Sequence, residues 1–135
     1  MDETPARAPL PLGMEELRIV KDTFSSVQPA LRPKKEEVIQ LLKAGVSLCH
    51  FTCHGETDYS EPFKSIFLLR DWQVGPLTVS NLQTLELRQA VLALLSACFT
   101  ANAGVEKLQD EIIHLASALQ VAGFIKCCWV SMVRR

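Results

Sequence analysis

The chain has 135 residues, 48% of them hydrophobic, with 14 lysines and arginines against 15 aspartates and glutamates. That length holds one domain with one modest core, and that composition argues against wholesale disorder. With a formal net charge of −1, nothing suggests a polyanion partner, and no nucleic acid is expected.

No stretch approaches the roughly 20 apolar residues of a membrane span, so no membrane is expected either. The opening "MDETPARAPLPLG" is acidic and proline-bearing, and without an apolar run it does not read as a secretory signal. Five cysteines, an odd number, then read as reduced thiols in a cytosolic or nuclear compartment, and a cytoplasmic location is expected.

Residues 1–13 read as a flexible lead, and 14–135 as a single domain. "MEELRIVKDTF" places Met14, Leu17, Val20 and Phe24 at helical spacing. Pro29 and Pro33 break the connector that follows. "KKEEVIQLLKAG" predicts a helix with Val38, Leu41 and Leu42 on its apolar stripe and Gly45 at its end. "VSLCHFTC" reads as a short strand, "SIFLL" as a second apolar run, and "SNLQTLEL" as a short helix after the "VGP" turn and "LTV". "AVLALLSAC", the most apolar stretch, suits a strand covered on both faces. After a polar loop, "DEIIHLASALQVAG" predicts a helix capped by Asp110 and ended by Gly123, with Ile112, Leu115, Ala116 and Leu119 on one face. Strands alternating with amphipathic helices imply an α/β sandwich with a mainly parallel sheet.

In such sheets sites form beyond the carboxyl ends of the strands. His54 and Cys98 each fall at such an end, followed by small or polar residues. If the two strands are neighbours, about 4.8 Å separates them. An imidazole there can take the thiol proton, leaving a thiolate as nucleophile. The Gly55 N–H is a candidate oxyanion donor. The partner of His54 thus lies 98 − 54 = 44 residues downstream.

Caspases place histidine about 50 residues before a Gln-Ala-Cys signature, which Ser96-Ala97-Cys98 matches in part. "EEVIQLL", "HFTCHG", "KSIFLL", "LTVSNLQTLEL", "LALLSACFT" and "DEIIHLASALQVAGF" stand in the order and spacing of the CHAT domain, which the chain resembles. The resemblance is strongest over 34–124, has a fungal flavour, and leaves 125–135 as an atypical tail. It implies a caspase-like three-layer α/β sandwich, related to separase and caspases. It also implies cysteine endopeptidase chemistry on a protein or peptide substrate, with His54 as base and Cys98 as nucleophile. A tetratricopeptide-repeat region in a longer parent is the implied neighbour. Family members continue after "AGF" with further core elements, so a domain incomplete on its C-terminal side is expected, with the apolar face of a tail strand left uncovered.

Blander readings stand beside these. Cys49, His50, Cys53 and His54 evoke a haem or zinc site, but three residues separate the cysteines and zinc needs four converging ligands. No metal and no cofactor is expected. Cys49 and Cys53 read as small buried apolar groups within a strand, and His50 as a packed strand histidine. Asp58 and Glu61 follow His54 and can favour a basic substrate side chain, or form a plain acidic loop. Asp110 and Glu111 suit a helix N-terminus, and His114 reads as a satisfied surface or core histidine. The alternative to an endopeptidase is a non-catalytic interaction module that keeps the fold and its motif.

Overall fold

The computed structural model describes residues 13–96, 98–99 and 115–129, with backbone alone at 98, 99, 128 and 129. Asp110, Glu111, Ile112 and His114 lie outside the described residues, as do all but the last residue of the expected flexible lead. Among the described residues no helix is long and apolar enough to cross a membrane.

Helix α1 spans Gly13–Thr23 and α2 spans Lys35–Lys43. The start of α2 is held locally. Glu37 accepts from the Lys34 amide at 2.6 Å, and Asp71 accepts from Lys35 N at 3.0 Å. Strand β1, Leu48–Phe51, is followed after two residues by β2, His54–Glu56. A 3-10 turn at Pro62–Lys64 leads to β3, Ile66–Leu68, then β4, Leu77–Thr78. Helix α3, Val79–Gln83, begins with a reciprocal cap: Asn81 N donates to Thr78 Oγ1 and Thr78 N to Asn81 Oδ1. Strands β5, Leu92–Leu95, and β6, Cys98–Phe99, follow. Helix α4, described over 115–122, precedes β7, Lys126–Trp129.

The result is mixed α/β. One sheet is parallel, in the order β1-β5-β7, and the other runs β4-β3-β2-β6. The most apolar run of the sequence is thus the central strand of the parallel sheet, as its composition requires. In the second sheet β2–β6 is parallel, while β2–β3 and β3–β4 are antiparallel. Connection length decides this. Nine residues join β2 to β3, and eight join β3 to β4, fewer than the dozen or so that a parallel crossover takes.

Register separates the layers. Cys49, Ala93 and Cys127 pair across the parallel sheet and share one face. That face meets α4, where the Cys127 thiol donates to the Ala116 carbonyl at 3.5 Å. One face of the tail strand is therefore covered, by α4. His50 and Leu94 occupy the opposite face, toward α1, so the parallel sheet lies between helices.

The core gathers Val38 and Leu42 of α2, Phe51, Phe67, Leu77, Leu82, Ala93 and Leu95 with Leu115, Ala118, Leu119 and Ala122 of α4. Phe51 and Phe67 stack obliquely, 5.3 Å between ring centres, and so link the two sheets. The apolar stripe of α1 behaves differently. Met14, Leu17, Val20 and Phe24 line a cavity of about 570 Å³ beside β1 and α2, and none of the four is fully buried.

Both glycines expected to end helices have positive φ, +99° at Gly45 and +127° at Gly123. They differ in surroundings. A Cβ on Gly45 meets the flexible Gln89 side chain at 2.8 Å, whereas one on Gly123 meets the Leu87 carbonyl oxygen at 2.3 Å. That segment is fixed, since Leu87 N donates to Ala122 O at 2.8 Å. Gly45→Ala should cost about 1–2 kcal/mol, the strain of a left-handed residue. Gly123→Ala should cost clearly more, because backbone must move as well. Urea unfolding of the two variants beside the parent checks the order.

Candidate functional site

The parallel pairing of β1 with β5 sets Leu48 opposite Leu92 and Phe51 opposite Leu95, an offset of 92 − 48 = 44 residues. Both strands break after four residues. Pairing then resumes between β2 and β6, with His54 opposite Cys98 and Gly55 opposite Phe99. The offset is again 98 − 54 = 44. The two parallel segments are one pairing interrupted for two residues, and the register is carried through the gap. Within the gap the Ser96 amide still donates to the Phe51 carbonyl at 2.8 Å. Two positions 44 residues apart are thereby made neighbours. His54 opens β2 rather than closing a strand, because the ladder switches sheets at Thr52-Cys53. It is 9% exposed, and Gly55 beside it is buried in an interior strand.

A polar cluster sits at the gap. His50 Nε2 lies 2.8 Å from Ser96 Oγ, 3.5 Å from Thr52 Oγ1 and 3.6 Å from Glu16 Oε2. Thr52 donates to the same Glu16 oxygen at 2.8 Å. The His50 and Glu16 side chains are 16% and 14% exposed. The packed strand histidine is thus a bonded one, tied to α1 and to the end of β5. Sequence reasoning overlooked Glu16 and Thr52, and read Ser96 only as part of the motif before Cys98. The available signal was the spacing: Thr52 lies two residues from His50, and Ser96 lies 52 + 44, in register with Thr52 if the offset holds.

A family model of the CHAT domain matches residues 2–131. The chain belongs to the CHAT domain family. No curated protein matches it. Membership places this CHAT domain among relatives of the caspase-like cysteine peptidases.

Two cysteines of the CHAT domain, Cys49 and Cys53, are poorly suited to nucleophilic work. Burial pushes the Cys49 thiol up to about 12, and does the same to Cys53, which is 2% exposed. Cys53 lies between β1 and β2, not within a strand, and packs in the core. Asp58 is occupied by its own loop: its Oδ1 accepts from the Ser60 and Glu61 amides, each at 2.9 Å. That turn accounts for an acid at this position. Among the described residues no three histidines, cysteines or acids cluster as metal ligands do.

Burial lowers the His50 pKa from its ordinary 6.5, partly offset by the Glu16 carboxylate. A base with a depressed folded value contributes stability above the unfolded value and loses it as pH falls through the folded one. Acidification from pH 7.5 to 5 should therefore cost the parent more stability than it costs His50→Gln, which keeps a polar group but cannot titrate. Urea midpoints of both proteins at the two pH values give the comparison.

Proposed function

We propose that this CHAT domain is a cysteine endopeptidase in which His54 is the general base and Cys98 the nucleophile. The observation that carries the reading is the register pairing of the two residues across β2 and β6. Register partners share a sheet face, the placement that proton transfer between neighbouring side chains requires. His54 takes the Cys98 proton, and the thiolate sulfur attacks the peptide carbonyl carbon. The Gly55 N–H serves the developing oxyanion only where that buried stretch of β2, flanked by β3 and β6, opens to substrate. The imidazolium returns its proton to the leaving amine, and water then releases the acyl group from sulfur. The substrate is a protein or peptide. The odd cysteine count favours a reducing compartment, the cytoplasm.

The slight exposure of His54 favours a second reading, an interaction module that keeps the pair without turnover. Alkylation separates the two. A thiolate held by an imidazolium reacts at pH 6–7, well below the free-thiol value of about 8.5. Limiting iodoacetamide at pH 6.5, followed by peptide mapping, should label Cys98 first and leave Cys49 and Cys53 unmodified. His54→Ala should slow Cys98 labelling about tenfold at pH 6.5 and little at pH 9, since only the thiolate fraction changes. First labelling at Cys49 or Cys53, or a pH profile unmoved by His54→Ala, sinks the dyad.

A further inference from the structure

The gap in the parallel pairing is where the register is most exposed to slippage. Sheet hydrogen bonds stop at Phe51 and Leu95 and restart at His54 and Cys98. Among the described residues two bonds bridge the interval, both ending on Ser96. One is main-chain, from the Ser96 amide to the Phe51 carbonyl. The other joins the Ser96 hydroxyl to His50 Nε2 at 2.8 Å, a diagonal contact between His50 and the residue two beyond its register partner Leu94. Ser96 is 5% exposed, so a hydroxyl deprived of this partner is left desolvated.

We infer that His50 is a positioning residue for Cys98: through Ser96 it holds the start of β6 in register with His54. Glu16 and Thr52 hold His50 in turn. Thr52 donates its proton to Glu16 Oε2 at 2.8 Å, and that oxygen is 3.6 Å from the imidazole. Helix α1 therefore reaches the Cys98 segment through three side chains. The inference rests on the dyad reading for its consequence in catalysis, but not for the pinning itself.

The test uses the full chain with His50→Leu, Ser96→Ala, their combination, and His50→Gln. The glutamine amide can take the place of Nε2. Amide exchange resolved by residue reads the pinning. His50→Leu should speed exchange at Cys98 and Phe99 about tenfold or more while Ala93–Leu95 keep their parent rates. Ser96→Ala should do the same, the double variant should add nothing, and His50→Gln should restore slow exchange. Uniform acceleration along β5 and β6 indicates a merely structural histidine and overturns the inference. No change at Cys98 and Phe99, or additive effects of the two single variants, does so equally.

Iodoacetamide labelling of Cys98 against pH reads the consequence. His50→Leu should slow labelling at pH 6.5 about tenfold, and His50→Gln should recover it. If the parent Cys98 titrates as an ordinary thiol while exchange still responds, the dyad reading fails and the pinning stands. If the parent thiol is poised but exchange ignores His50→Leu, the pinning fails and the dyad stands.

Discussion

A constant offset of 44 residues between two parallel segments governs what this chain can place beside what. It is set where the pairing is apolar, along Leu48–Phe51 and Leu92–Leu95, with Phe51, Ala93 and Leu95 sealed in the core. A slip of one residue there would turn Ala93 and Leu95 out of the core and bring Leu92 and Leu94 in. Burial thus sets the register at one end of the pairing, and the polar residues at the other end inherit it. His54 and Cys98 need no strong attraction of their own to be neighbours.

Much of this was legible in the sequence because it rests on strong local signals. The apolar run at 90–98 announced a central strand, and Gly45 and Gly123 announced helix ends with positive φ. The neighbouring of His54 and Cys98 followed from their places in two hydrophobic runs. Other features were hidden because they depend on distance along the chain. The antiparallel course of β3 and β4 follows from connection lengths rather than strand composition. The break at Thr52-Cys53 has no Pro or Gly to mark it. The role of Glu16 was illegible, because a glutamate on a helix reads as surface until a threonine 36 residues later is known to meet it.

Helix α1 is attached by an unusual balance. Its apolar stripe borders a cavity rather than a filled core, and its outward side carries an exposed Glu15–Arg18 pair of the kind that contributes little. The Glu16 contact with Thr52 and His50 is its best-defined anchor. Among the described residues that contact is the polar hold of a helix whose apolar stripe is at most half-buried, and a helix so held opens at lower free energy than the strands beneath it.

The same 44-residue offset has a consequence in time. The antiparallel partners of β2 lie close in the chain: Glu56 meets Ile66 after 10 residues, and His54 meets Leu68 after 14. Loop-closure entropy grows with separation, so these local contacts close before the long parallel ones are rewarded. On a ribosome the ordering is stricter still, since β2, β3 and β4 are complete well before residue 98 has been added. For that whole interval the edge of β2 destined for β6 has no strand of its own to pair with, and an unpaired edge is open to other chains. The arrangement that sets residues 54 and 98 side by side therefore carries an inherent delay: synthesis alone keeps them apart until most of the chain exists.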